Sequence, residues 1–182
     1  MTDEQILQEI KKGNSSVYRE LVIRYESQIA STIISMLGKG PEAEDIGQEV
    51  FIRFYKAIPR FRGESSVGTY LTRIAINLSL NEIKRRKRKK NIFIEKEISE
   101  LINYIDDNKQ DLPEDKEMVN MAIQSLNPKF RSVLVLRLID GYSTEEVAKI
   151  LKIPIGTVLS RLSRAQEKLK EKLTPLMEVS YG

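Results

Sequence analysis

Two stripes of side chains in this sequence have the chemistry to read a nucleic acid. Thr157, Ser160, Arg161, Arg164 and Lys168 recur at helical spacing in the last third of the chain. Small polar groups let a helix approach base edges closely, and arginines bond guanine edges or phosphates. In the first half, Arg73, Asn77, Asn81, Lys84 and Arg88 follow one another at intervals of 4, 4, 3 and 4. Amides and cations on one helical face suit base edges and phosphates together. Just before this stripe lies the segment FRGESS, residues 61–66, small and polar with aromatic residues on both sides. Such a loop can hold an unstacked base, as single-strand binders do. Lys84 to Lys90 are seven consecutive cations that complement a helix C-terminus, and a solvated run is their plainer reading.

A third stripe has the opposite character. Between residues 41 and 57, Ala43, Ile46, Val50 and Phe54 mark an apolar face, and Asp45, Gln48, Glu49 and Ile52 an exposed one. An acidic face on a basic domain is poorly placed for DNA and points to a protein partner. The carboxylates Glu42, Glu44, Asp45 and Glu49 are the rival case for a metal-dependent nuclease. They point around the helix instead of to one centre, so no metal site is expected.

Composition narrows the function further. The 182 residues include no Cys and no His. That removes disulfides, thiolate chemistry, His-containing triads and the commonest metal ligand. No catalytic residue, cofactor or small-molecule substrate is expected. No apolar run approaches the roughly 20 residues of a membrane span. The N-terminus, MTDEQILQEIKKG, is acidic and amphipathic, unlike a signal peptide. The expected location is the cytoplasm, without insertion into a membrane.

The elements that position these stripes are all helices. Apolar residues recur at helical intervals and no convincing alternating strand occurs. Helices are expected over residues 3–12, from a serine cap at 15 or 16 to about 37, from 41 to about 57, and from about 66 to the basic run. Later ones start at Asn127-Pro128 and stop at Asp140-Gly141. Ser143 with Glu146 reads as a capping box opening a short helix over 144–152. Pro154 ends it, and a last helix over about 155–173 completes a helix-turn-helix pattern. Ile155, Val158, Leu162, Ala165 and Leu169 form its apolar stripe. Val67, Leu71, Ile74, Ala75 and Leu78 form that of the long helix.

Charge divides the chain into three. Residues 1–90 hold 17 basic and 11 acidic side chains, residues 91–117 hold 3 and 9, and residues 118–182 hold 10 and 6. The acidic middle contains IDDNKQDLPED and reads as a linker, with a short helix near residues 98–104. The expected fold is all-α: a helical domain over residues 1–92, an acidic linker over 93–117, and a helix-turn-helix domain over 118–182. A repressor or activator using the helix-turn-helix alone would need a sensing or dimerising first block. An interaction scaffold would not need the polar-basic stripes.

Three motifs in order resemble the extracytoplasmic-function (ECF) sigma factors of bacterial RNA polymerase, within the sigma-70 family. Residues 42–55 (EAEDIGQEVFIRFY) resemble the family's polymerase-clamp helix. Residues 61–78 (FRGESSVGTYLTRIAINL), running into the basic end, resemble its −10 segment. Residues 140–165 (DGYSTEEVAKILKIPIGTVLSRLSRA) resemble its −35 helix-turn-helix. The ending KLTPL, residues 172–176, places the likeness nearest the envelope-stress, sigma-E-like subtype.

The resemblance implies a factor that binds core polymerase and directs promoter-specific initiation, held inactive by a membrane-linked or soluble anti-sigma factor. By position it implies that Asp45, Gln48, Glu49 and Ile52 face the polymerase clamp helices, with the flap as a second contact. Phe61, Arg62, Gly63, Glu64, Ser65, Ser66, Tyr70, Arg73, Asn77, Asn81 and Lys84 would meet the −10 element, the 61–66 loop holding a flipped base. Arg137 would contact phosphate, and Thr157, Leu159, Ser160, Arg161, Ser163 and Arg164 would meet the −35 element. The acidic linker would thread the RNA-exit path. The factor would be nucleoid-associated when active. Tyr70 stands where the family usually has Trp, Val67 where Phe is common, and Leu159 where Lys or Arg is usual. Gly47 sits in mid-helix at a cost of about 1 kcal/mol relative to Ala.

Overall fold

The structure is a computed structural model and describes residues 1–97 and 115–181. The described residues form eight α-helices: α1 (Asp3–Lys11), α2 (Tyr18–Leu37), α3 (Pro41–Ala57), α4 (Val67–Glu97), α5 (Asp115–Gln124), α6 (Pro128–Leu134), α7 (Thr144–Leu151) and α8 (Ile155–Tyr181). No strand occurs among these residues. The short helix expected near residues 98–104 lies outside them.

Local chemistry explains most boundaries. Thr2 and Gln5 form a reciprocal capping box at the start of α1. Gly13, at φ +101, and Gly38, at φ +83, take the left-handed backbone needed just past α1 and α2. Pro41 opens α3 in its first turn, where a missing N–H costs nothing. The Asn127 side chain accepts the Lys129 N–H at 3.2 Å and opens α6. Ser143 and Glu146 form the expected capping box on α7. One turn of 3₁₀ helix, Ser15–Val17, precedes α2, so the serines lie in that turn and not at an α-helical cap.

Helices α1 to α4 pack around Leu21, Ile29, Ile33, Val50, Phe54 and Leu71, all fully buried. Tyr18 locks α3 onto α2 by donating its hydroxyl to the Phe51 carbonyl at 2.6 Å. Two features of α4 differ from the sequence expectation. It continues through the basic run to Glu97. Its buried face is also wider than the apolar stripe, because Thr72, Ser79 and Glu82 are buried alongside Leu71, Ala75 and Ile76. Glu82 explains the continuation: its carboxylate accepts from Arg85 at 2.6 Å and from Arg86 at 3.0 Å, so two of the seven cations are tied inside their own helix. Those guanidiniums hold the Glu82 carboxyl below its usual range.

Helices α5 to α8 pack around Leu126, Val133, Leu134, Leu136, Val147, Val158 and Ala165. The end of α6 widens over Val135–Ile139 into a π-helical turn, with the Asp140 N–H on the Val135 carbonyl at 2.9 Å. That turn delivers Asp140 and Tyr142 toward α2. Ile155 departs from its expected buried stripe and is 46% exposed. It is the first residue of α8, so its side chain leans past the helix end instead of onto a preceding turn. The turn between α7 and α8 places Lys152 at φ +54, in the left-handed region.

The two groups of helices share α2 as a common wall. Arg131 of α6 is 8% exposed and gives its guanidinium to the carbonyls of Met36, Gln124 and Leu126, at 2.6 Å for Met36 and 2.9 Å for Leu126. Burial and the nearby Arg86 push the Arg131 pKa down to about 10. Arg131→Met is expected to leave these buried carbonyls without donors and to cost about 2–4 kcal/mol in denaturant unfolding.

Candidate nucleic-acid interface

The 61–66 loop is built on an aromatic cluster. Phe54 of α3 is fully buried, and the Phe61 ring meets it edge-on with centroids 5.7 Å apart. Tyr70 of α4 stands 5.2 Å from Phe61 and 5.6 Å from Phe54. Such pairs add about 0.5–1.5 kcal/mol beyond area burial. Phe61 and Tyr70 are therefore half-buried supports of the loop, not freely projecting platforms. Val67, where a bulkier ring is common in the resemblance, is buried at the first turn of α4. Ser66 caps that helix, accepting the Thr69 N–H at 3.1 Å. The Phe61 carbonyl is held by Lys11 Nζ at 3.1 Å, so α1 also steadies the loop. Gly63, at φ +73, makes its sharp bend. Arg62, Gly63, Glu64 and Ser66 are exposed and Ser65 is half-buried.

The loop borders a cleft of about 900 Å³. Its basic lining includes Arg53, Lys56, Arg60 and Arg73, with Lys149 and Lys152 opposite on the helix-turn-helix. Sequence reasoning named Arg73 and missed the others, because they belong to no single helical stripe. Arg73 is half-buried, and among the described residues its Nε has no acceptor. Below it on α4, Asn77, Asn81, Lys84 and Arg88 are exposed on the expected face.

On α8, Leu159 is 53% exposed, and Ser160, Ser163 and Arg164 are exposed with it. Thr157 and Arg161 are half-buried. The opposite side is anchored by Val158 and Ala165, both fully buried. This helix can present a polar-basic face with one apolar side chain to a groove. Arg137 lies elsewhere: its guanidinium donates to the Tyr142 carbonyl and its Nε is buried. One of its groups therefore bonds the turn before α7.

The acidic stripe sits on α3. Asp45, Gln48 and Ile52 are exposed, with Ile52 at 47%, and Glu49 pairs with Arg53 at 2.7 Å. Glu42 lies 3.7 Å from Arg86, so the α3 carboxylates diverge to separate cations. Beside the stripe, α2 and α3 form an apolar groove of about 720 Å³, lined by Val22, Ile29, Ile34, Ala43, Gly47 and Phe51.

Family models place the same segments. The model for sigma-70 region 2 matches residues 21–89, and that for sigma-70 region 4 matches residues 116–169. The chain is 32% identical over 184 residues to the RNA polymerase sigma-H factor of Pseudomonas aeruginosa, covering 96% of this chain and 95% of that one. It is 32% identical over 188 residues to the ECF RNA polymerase sigma-E factor of Escherichia coli K12, covering 97% of each. Among solved structures, the sigma factor RpoE in complex with the anti-sigma factor NepR, from Bartonella quintana, has a similar fold. Its TM-score is 0.65 at 24% identity, covering 86% of this chain and 96% of that one.

The chain belongs to the sigma-70 family of RNA polymerase sigma factors. Within it the chain is of the ECF type, a transcription initiation factor that binds core polymerase and promoter DNA.

A Cβ built on Gly47 would meet only Ile33 Cδ1, at an ordinary 3.9 Å. Gly47→Ala is therefore expected to stabilise the free chain by about 0.5–1 kcal/mol in thermal unfolding.

Proposed function

We propose that the three exposed stripes divide the work of initiation. The acidic stripe on α3, Asp45, Gln48, Glu49 and Ile52, docks on the polymerase clamp helices, and the flap contacts the second half. The 61–66 loop with Tyr70, Arg73, Asn77, Asn81 and Lys84 reads and melts the −10 element. Thr157, Leu159, Ser160, Arg161, Ser163 and Arg164 enter the major groove at the −35 element, with Leu159 against a thymine methyl. Arg137 supports that helix-turn-helix through the Tyr142 carbonyl and reaches phosphate with its remaining donors. Residues 1–92 and 118–182 act as separate binding domains, joined by the acidic linker over 93–117.

The observation that carries this reading is shared by α3, α4 and α8. Each has one face anchored in the core and the opposite face exposed with chemistry suited to its partner. The Bartonella relative was solved with an anti-sigma factor. We infer that this chain too is held inactive by such a partner, membrane-linked or soluble. No helix among the described residues is long and apolar enough to cross a membrane. The factor works in the cytoplasm, at the nucleoid when active, and the polymerase supplies the catalytic centre.

Purified chain added to core polymerase is expected to give specific transcripts from cognate promoters, and failure to bind core would overturn the reading. Asp45→Arg should weaken core binding while leaving the unfolding midpoint unchanged. Loss of Arg164 to Ala is expected to weaken −35 binding by about 1–3 kcal/mol if it reads a base. A phosphate-only role would instead give a loss independent of sequence, with a shallower salt slope.

A further inference from the structure

The seven cations from Lys84 to Lys90 wind around α4 and do not share one surface. At about 100° per residue, Arg88 falls between Asn77 and Asn81, on the face proposed to meet the −10 element. Arg73, Lys84 and Lys87 lie to one side of that line, within about 80° of Asn77. Arg85 lies about 80° to the other side. Lys89 and Arg86, about 120° and 180° round, point away from a partner on that face. Glu82 stands at about 140°, behind Arg85, and is buried. Its carboxylate accepts from Arg85 Nε at 2.6 Å and Arg85 Nη2 at 2.9 Å, and from Arg86 Nε at 3.0 Å.

The two arginines serve different ends. Arg86 faces the core side, where it also donates to the Leu37 carbonyl at 3.0 Å and has Glu42 3.7 Å away. Arg85 has only Glu82, in a two-pronged bond to a carboxylate three residues earlier on the same helix. A DNA phosphate can take Arg85 only by breaking that bond. Phosphate contacts orient a protein on a duplex without reading its sequence. With cations on one flank of the amides, α4 has one way to seat on the backbone. A released Arg85 would add a cation on the opposite flank. Rotated seatings, in which Asn77 and Asn81 miss the bases, would then compete with the reading one.

Resting on the reading of α4 as the −10 helix, we propose that Glu82 is a positioning residue for promoter recognition, which withholds Arg85 from DNA so that α4 is oriented by the cations of one flank alone. Glu82 touches no base and acts through Arg85. Its second bond, to Arg86, belongs to the packing of α4 on the end of α2. Removing the carboxylate therefore frees Arg85 first, because Arg86 keeps the Leu37 carbonyl and Glu42.

Salt dependence counts the phosphates engaged, since the slope of log affinity against log salt changes by about 0.7–0.9 for each. Binding is measured with the full chain on core polymerase, to a promoter duplex and to an unrelated duplex of equal length. Arg85→Gln is expected to leave the slope unchanged, and Lys84→Gln to make it shallower by about 0.7–0.9. Glu82→Gln should make it steeper by the same amount and lower the preference for promoter over unrelated DNA about two- to tenfold. Adding Arg85→Gln to Glu82→Gln should return both readings to the parent values. Neither lost packing nor a change of net charge produces that coupling. A folded Glu82→Gln protein with parental slope and preference would overturn the proposal. So would an Arg85→Gln loss equal to that of Lys84→Gln, which decides the matter if Glu82→Gln does not fold. A response to Lys84→Gln without one to Glu82→Gln removes the proposal alone. Unchanged slopes for Lys84→Gln, Arg88→Gln and Glu82→Gln alike would remove the reading of α4 as the −10 helix, and the proposal with it.

Discussion

Two guanidinium groups close the C-terminal end of α2, and the placement of both halves depends on them. Arg131 reaches the Met36 carbonyl and Arg86 reaches the Leu37 carbonyl at 3.0 Å. A helix end carries unpaired carbonyls and a partial negative charge, so cations there are doubly favoured. Arg86 is aimed by Glu82 on its own helix. Arg131 also ties the carbonyls of Gln124 and Leu126 at the end of α5. The basic end of α4, the end of α2 and the entry to the second group of helices are thus joined through backbone oxygens. Of these bonds, only Arg131 to Met36 crosses between the two groups of helices.

The faces of α4 and α8 proposed to read DNA depend on their packing in a simple way. A helix can offer a face to DNA only if its opposite face is held elsewhere. On α4 that hold is Leu71, Thr72, Ala75 and Ile76, and on α8 it is Val158 and Ala165. The loop before α4 rests on three aromatic rings and a capping serine. On the proposed reading, recognition is shape and hydrogen bonding prepared in advance by these supports.

Much of this was legible in the residues. The bounds of α3, the capping box at Ser143 and the turn before Ile155 follow from local signals, because proline, glycine and capping serines act within a few residues of themselves. The exposed stripes on α3 and α8 follow from periodicity. What periodicity does not reveal is a second buried face. Thr32, Thr72 and Ser79 are polar, yet all three are fully buried, the two threonines hydrogen-bonded across the contact between the halves. Likewise, seven consecutive cations read as one solvated block, although Arg85 and Arg86 are bound by a buried carboxylate in the preceding turn. Ile155 fits an apolar stripe by spacing and fails because it starts its helix. The buried threonines have partners distant in sequence and Ile155 sits at a helix end, where spacing carries no information, whereas the Glu82 pairs lie one helical turn away and spacing could have shown them.

Helices α4 and α8 of one chain are proposed to read two separated elements of the same promoter when carried by core polymerase. Photo-crosslinking from Asn77 and from Ser160, each replaced by a benzoylphenylalanine in the full chain bound to core polymerase and promoter DNA, tests it most directly. The expected result is crosslinks from position 77 to the −10 region and from position 160 to the −35 region of one duplex. Crosslinks from both positions to the same element, or to DNA outside either one, would contradict it.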